Sequence, residues 1–373
     1  MEKIKVLTVF GTRPEAIKMA PLVKELEKNS DIFESIVCVT AQHREMLDAV
    51  LNLFEITPDF DLNIMKANQN LWSITSDVLL KTKDVFEAVK PDIVLVHGDT
   101  TTSMAAALSA FYAKIPVGHV EAGLRTFDKY NPFPEEINRV FVDSICDYFF
   151  APTDTSLNNL KQANVSMKNA YKTGNTVIDA LLYVVNNKAE DISYLGLDNT
   201  KKTVLVTAHR RENFGQPIKN ICKAIIKLVE KNKDIQVIYP VHPNPNIKNV
   251  VNELLANQER VILTEPLDYA PFSTLMQHSD LIMTDSGGVQ EEAPSLAKPV
   301  LVLRRTTERP EAVEYGTVKL VGTETEDIFK EADKLLNNEQ EYKKMSEAIN
   351  PYGDGTASSQ IVEILKKVKK NST

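Results

Sequence analysis

A chain of 373 residues is too long for one typical core, so about two domains of ~100–200 residues each are expected. With 43% hydrophobic and 25% charged residues, its composition is that of an ordinary soluble globular protein. A net charge of −8 without a basic cluster argues against nucleic acid as a partner, and no run approaches the ~20 apolar residues a membrane span needs.

The N-terminus opens directly into an expected strand, residues 4–10, with no signal-peptide pattern before it. Further strands are expected at 35–40, 92–97, 116–120 and 148–151, with helices at 15–28, 43–54, 71–89 and 100–113. This βαβ rhythm implies a parallel sheet covered on both faces. It restarts at 203–207 and runs through 235–240, 260–263, 280–284 and 299–303, after a polar stretch over 186–202. The expected organisation is a first Rossmann-like domain over 1–172, a second over 173–352, and a terminal helix over 353–373 that crosses back to the first. The fold class is α/β, two doubly wound parallel-sheet domains. Ligands of such sheets bind beyond the carboxyl ends of the strands, which places the expected site in the interdomain cleft.

Cys38, Cys146 and Cys222 are odd in number, far apart and each in an apolar neighbourhood, the pattern of buried free thiols in a reducing cytoplasm. The basic run Lys366-Lys-Val-Lys-Lys370 reads as the solvated last turns of a helix, where cations suit the dipole.

The strand ends carry the chemistry. Gly11-Thr-Arg-Pro-Glu15 follows the first strand, with Lys18 just beyond, and Gly98-Asp99-Thr100 follows 92–97. Glu121 follows 116–120, and Glu135-Glu136 comes soon after. The second half adds His209-Arg210 after 203–207 and His242 after 235–240. Taken singly, Asp99 also fits a helix N-cap and Glu121 a loop charge. All of them ending strands on one edge is harder to explain as solvation.

The most specific stretch is Leu281-Ile-Met-Thr-Asp-Ser-Gly-Gly-Val-Gln-Glu-Glu292. It reads as a buried strand, a turn at Asp285–Gly288 and a helix from Val289 onward. The paired glycines allow close approach to free backbone amides at a positive helix end, which suits phosphate. Glu291 or Glu292 then stands where a carboxylate can accept from a ribose diol. A tight strand-to-helix turn with an acidic first turn is the competing reading.

Missing motifs narrow the chemistry. There is no Gly-x-Gly-x-x-Gly after the first strand, no Walker A sequence, no His-Glu-x-x-His and no Gly-x-Ser-x-Gly elbow. The six histidines do not pair at metal-ligand spacings, with His97 and Asp99 the weak exception, so neither metal nor cofactor is expected. Carboxylates in the first half and cations with a phosphate cradle in the second remain. That is equipment for acid–base chemistry on an activated sugar with a diphosphate leaving group.

Gly11-Thr-Arg-Pro-Glu-Ala-Ile-Lys18, His97-Gly-Asp-Thr-Thr101, His119-Val-Glu-Ala-Gly-Leu-Arg125, His209-Arg-Arg-Glu-Asn213, Thr284–Pro294 and Thr307-Glu-Arg-Pro-Glu311 together resemble the non-hydrolysing UDP-N-acetylglucosamine 2-epimerases. The resemblance runs in order from Lys5 to the Tyr352-Gly-Asp-Gly355 turn. It implies a glycosyltransferase-B-like fold, a homodimer, and interconversion of UDP-GlcNAc and UDP-ManNAc for bacterial cell-envelope or capsule polysaccharide. It also implies that Asp99, Glu121 and Glu135 are the acid–base groups and that His209 supports the leaving diphosphate. Arg13, Ser286, Gly287 and Gly288 would hold phosphates, Glu292 the ribose, and the strand-end loop from Leu267 to Phe272 the uracil. Lys18 and Arg309 join the binding set.

The chemistry agrees with that implication. No carbonyl acidifies the hydrogen at C2 of the sugar, and no NAD motif offers transient oxidation. A base can instead remove the proton while UDP leaves, giving 2-acetamidoglucal, and UDP returns with protonation from the opposite face. Burying the carboxylates together is expected to raise one of their pKa values.

Some members of the family bind a second UDP-GlcNAc as activator. Gln42, His43, Glu135, Arg210 and His242 fit that pattern, whereas Glu45 and Asn68 depart from it. Losing an arginine at 68 removes a charge-assisted phosphate contact. A hydrolysing epimerase releasing ManNAc and a retaining glycosyltransferase share the architecture. A non-catalytic nucleotide-sugar sensor would have no need of three carboxylates.

Overall fold

The computed structural model describes residues 2–41, 44–66 and 69–368. The chain divides into two compact units, Met1–Ala180 with Tyr352–Thr373, and Leu181–Pro351.

The first unit is built on β1 (Ile4–Phe10), β2 (Phe33–Val39), β3 (Phe60–Asp61), β4 (Ile93–His97), β5 (Val117–Val120), β6 (Tyr148–Ala151) and β7 (Ala170–Lys172). These pair in parallel in the order β3-β2-β1-β4-β5-β6-β7. The second unit holds β8 (Lys202–Thr207), β9 (Ile235–Pro240), β10 (Val261–Thr264), β11 (Leu281–Thr284), β12 (Val300–Val302) and β13 (Val318–Leu320). Its order is β10-β9-β8-β11-β12-β13, again all parallel. Both sheets therefore reverse direction of growth once, between β1 and β4 and between β8 and β11. Such a switch point opens a crevice at the carboxyl ends of its two strands.

The strands read as continuous apolar runs because helices cover both faces. Ile93, Val94, Leu95 and Val96 are all fully buried, as are Leu281, Ile282 and Met283. The expected strands 4–10, 148–151 and 235–240 have the observed limits, and the remaining ones shift by one or two residues. Strands β3, β7 and β13 were not expected, since two or three residues are too few to show a period.

Helix Arg13–Lys28 starts earlier than the expected 15–28 because Thr12 and Glu15 form a capping box with Pro14 in the first turn. Helix Leu71–Val89 has the expected limits, with Asn70 accepting from the Ser73 amide at its start. The last helix, Ala357–Leu365, packs on Arg13–Lys28 within the first unit. Asp179 caps it, accepting from the amides of Ala357 at 3.3 Å and Ser358 at 2.7 Å. This helix ends at Leu365, so the basic run follows it instead of forming its last turns, and Lys369 and Lys370 lie outside the described residues.

Cys38 and Cys222 are buried, and burial pushes both thiols up to about 12. Cys146 is only half-buried, against expectation, because it sits just past the end of helix Glu135–Ile145. Among the described residues, no helix is long and apolar enough to cross a membrane.

Candidate active site

The end of β1 runs into Gly11, where a Cβ would come within 1.9 Å of Thr40 Oγ1, so the turn accepts no side chain. Four residues on, Glu15 is almost fully buried and tied at both oxygens. One accepts from the amides of Gly11 at 3.0 Å and Thr12 at 2.8 Å. The other accepts from the hydroxyls of Thr100 at 2.6 Å and Ser103 at 2.9 Å. Glu15 thus ties the end of β1 to the end of β4, the two strands of the switch point. Arg13 is exposed on the first turn of its helix, and Lys18 reaches back from further along to pair with Glu121.

Glu121 follows β5 with φ of +66°, a left-handed conformation uncommon outside glycine and often found at functional sites. Its carboxylate meets Lys18, accepts from Asn175 Nδ2 at 2.9 Å and lies 3.7 Å from His97 Nε2. Burial alone would raise its pKa, but Lys18 and His97 outweigh burial and hold the carboxyl well below the usual range. Glu121 is therefore not the carboxylate that burial raises. The Lys18 ammonium and the His97 ring entered the same buried space, and the sequence separates them from it by 103 and 24 residues.

Asp99 pairs with Arg139, while its backbone carbonyl accepts from Asn138 Nδ2 at 2.9 Å. Behind it the buried His119 spans 2.6 Å to Asp143 Oδ1 and 2.8 Å to the Gly98 carbonyl, and Arg125 closes on Asp143 at 2.7 Å. Both Glu136 oxygens are engaged by the amides of Thr126 and Phe127, at 3.0 and 2.9 Å. Its neighbour Glu135, half-exposed at the helix start, has no ion-pair or hydrogen-bond partner among the described residues.

In the second unit the helix after β11 spans Gly287–Glu292, starting two residues before the expected Val289. Glycine tolerates the tight entry that a β-branched valine resists. A Cβ on Gly287 would lie 3.4 Å from the guanidinium carbon of Arg309 and 3.7 Å from Arg210 Nη2, so two cations hang over this turn. Arg309 is steered there by Glu291 at 2.6 Å, and its amide donates to Thr307 Oγ1 at 3.1 Å. Arg304, itself nearly buried, holds the same loop through Glu308, whose carboxyl its hydrogen bonds bring down to about 2.

Glu292 is buried, and its Oε2 accepts from the Tyr269 hydroxyl at 2.8 Å. Helix Tyr269–His278 starts within the stretch expected as a loop from Leu267 to Phe272. Only Leu267 and Asp268 remain in the loop, because Asp268 takes the N-cap position and Phe272 falls in the first helical turn. His209 follows β8 and stacks on His242, with ring centroids 5.4 Å apart and planes at 11°. Arg210 Nε donates to the Asp285 carbonyl at 3.1 Å, which brings it to the Ser286–Gly288 turn. Gln42, His43 and Asn68 lie outside the described residues, and Glu45 is in the first turn of helix Arg44–Leu53.

Within the first unit the structure thus brings Lys18, Glu121 and Asp99 to neighbouring strand ends. Within the second it gathers His209, Arg210, His242, Ser286–Gly288 and Arg309. Sequence reasoning missed Asn175, Arg139, Asp285 and Tyr269 as partners of these groups. Asn175 was discoverable in part, since Gly174-Asn175 directly follows a strand, but that strand is β7, too short to be seen.

A family profile described as UDP-N-acetylglucosamine 2-epimerase matches residues 24–366. UDP-N-acetylglucosamine 2-epimerase of Escherichia coli K12 is 56% identical over 371 residues, covering 97% of this chain and 98% of that protein. The crystal structure of the Neisseria meningitidis UDP-GlcNAc 2-epimerase bound to UDP-GlcNAc is 52% identical, with a TM-score of 0.87 over 98% of this chain and 100% of that one. A Rickettsia africae glycosyltransferase at 16% identity and a TM-score of 0.66, covering all of both chains, shares the fold alone. With the profile spanning most of the chain and a relative this similar over nearly its full length, the chain belongs to the UDP-N-acetylglucosamine 2-epimerase family.

Proposed function

We propose that this protein reversibly epimerises UDP-GlcNAc at C2 to UDP-ManNAc by the non-hydrolysing route, without a cofactor. The carrying observation is Glu121, a buried strand-end carboxylate kept ionised by Lys18 and His97 one strand away from Asp99. An ionised carboxylate is the form that removes a proton. Asp99, Glu121 and Glu135 take the acid–base roles, removing the C2 proton from one face and returning one to the other. UDP leaves to give 2-acetamidoglucal, and His209 supports the departing diphosphate. The amides at Ser286–Gly288 with Arg309 stabilise its charge, which grows as the C1–O bond breaks. Arg13 adds to the phosphate set, and Lys18 joins the binding set. Glu292 takes the ribose diol, and Leu267 and Phe272 the uracil.

The product supplies ManNAc units for envelope polysaccharide, and the working form is a cytoplasmic homodimer. Arg210 and His242, with Gln42, His43 and Glu135, serve a second UDP-GlcNAc as activator, for which a sigmoidal rate curve is the check. The decisive experiment is turnover of UDP-GlcNAc in D2O followed by NMR. UDP-ManNAc carrying solvent deuterium at C2, with traces of UDP and 2-acetamidoglucal, is expected. Full retention of the original hydrogen overturns the elimination route, and stoichiometric free ManNAc identifies a hydrolysing enzyme instead.

A further inference from the structure

Asp285 is fully buried at the end of β11 and belongs to none of the roles assigned above. Its Oδ2 accepts three N–H groups at 2.8 Å, from the amides of His209 and Arg210 and from Asn213 Nδ2. One carboxylate oxygen therefore fastens the end of β8 to the end of β11 across the switch point of the second sheet. The other oxygen, Oδ1, is buried and makes no hydrogen bond, yet lies 3.4 Å from His209 Nδ1. That separation exceeds an ordinary N–H···O bond by a few tenths of an ångström, and catalytic bonds of this kind commonly tighten when ligand binds.

We propose that Asp285 is the positioning residue for His209. It holds the imidazole with a proton on Nδ1, so that Nε2 is the nitrogen offered to the leaving diphosphate. A carboxylate behind a histidine selects one tautomer and stabilises the imidazolium that forms when Nε2 carries a proton too. The groups facing His209 make this pairing consequential. Burial holds the ring below its usual pKa, Asp285 alone pulls upward, and His242 and Arg210 push it down further. The hydroxyl of Tyr239, behind the loop, is engaged by the Ala208 carbonyl at 2.9 Å. No other anion among these neighbours can replace Asp285. The inference rests on the proposed role of His209 and adds the group that sets its orientation and charge.

The test is Asp285→Asn, which keeps an oxygen for the three N–H donors but turns an amide N–H toward His209 Nδ1 and so imposes the opposite tautomer. Turnover is expected to fall at least ~100-fold, while UDP affinity stays within about threefold. The alkaline limb of the rate profile moves to lower pH by about one unit, because the imidazolium loses its counter-charge. In the His209→Gln background the second substitution costs nothing further, since the residue through which it acts is gone. Equal losses in both backgrounds, or an unmoved pH profile, reduce Asp285 to a scaffold residue and overturn the proposal. Wild-type turnover by His209→Gln removes the role of His209 and this inference with it, while epimerisation by the unaltered protein still stands. Should Asp285→Asn fail to fold, 15N NMR of the unaltered protein with UDP decides. An Nδ1–H tautomer supports the pairing, and an Nε2–H tautomer with bare Nδ1 overturns it.

Discussion

The two units have the same strand order about the switch point and opposite chemistry at it. In the first, the strand-end groups of the proposed site are carboxylates, and basic residues restrain them: Lys18 on Glu121 and Arg139 on Asp99. In the second, the groups of the proposed site are basic side chains, and carboxylates restrain those: Glu291 on Arg309 and Asp285 near His209. The fold supplies a crevice in each case, and the side chains at the strand ends decide which charge it presents. Each unit also uses backbone geometry to suit its task. The backbone at Glu121 is left-handed, whereas the glycines at 287 and 288 leave no Cβ against Arg309, Arg210 and Glu292.

If the division between a catalytic and a binding unit is sound, substitutions should separate along it. The largest effect is expected from Asp99→Asn and Glu121→Gln. Each keeps volume but removes an acid or base, so kcat should drop ~100- to 10,000-fold with UDP affinity little changed. Near wild-type turnover in both variants would break the comparison outright.

Next in size is Lys18→Met, which leaves Glu121 buried without its main cation. Losing one partner of a buried pair typically costs about 3–5 kcal/mol, readable in thermal unfolding at pH 7. The sign with pH follows from the lowered pKa of Glu121. The pair contributes fully above the ordinary carboxylate value of ~4.3 and loses its contribution as pH falls through the lower folded-state value. In Lys18→Met, burial dominates and the carboxyl takes up its proton at higher pH. The gap in melting temperature between the two proteins should therefore narrow on acidification, and a gap independent of pH contradicts the ion-pair account.

In the second unit Glu292→Ala should act on binding. Loss of a charged acceptor for the ribose is worth about 1.5–3 kcal/mol, or roughly tenfold to hundredfold in UDP affinity by calorimetry. Deuterium exchange at C2 in substrate already bound should be affected far less. The smallest effect sharpens the same point. Tyr269→Phe removes one neutral hydrogen bond to Glu292, worth about 0.5–1.5 kcal/mol, so UDP binding should weaken ~2- to 13-fold. Pyrophosphate, which lacks the ribose, should bind unchanged. An equal loss for both ligands would assign Tyr269 to general packing.

Legibility followed the range of the interactions. The long apolar strands and the helix at 71–89 were readable because hydrophobic period and turn residues act over neighbouring positions. Reading stopped at β3, β7 and β13, which exist only because an adjacent strand offers them hydrogen bonds. The strand-end locations of Asp99, Glu121, His209 and Ser286–Gly288 were likewise evident from strand and turn alone. The loop at Leu267–Phe272 was misread because Asp268 is as good a helix cap as a loop residue.

By itself, then, the sequence determined the alternation of strands and helices, the doubly wound class, and which residues stand at the carboxyl ends of strands. Those properties depend on local periodicity and on the rule that parallel strands all end on one edge. Tertiary structure alone decided the partners of the strand-end carboxylates. Whether Glu121 is raised or lowered turns on Lys18, from the helix after β1, and on His97 at the end of β4. Whether Glu135 or Glu136 is available turns on two amides of the preceding loop. Electrostatic interactions fall off over a few ångströms in space and take no account of separation along the chain, so a buried carboxylate's partners become visible only once the chain is folded.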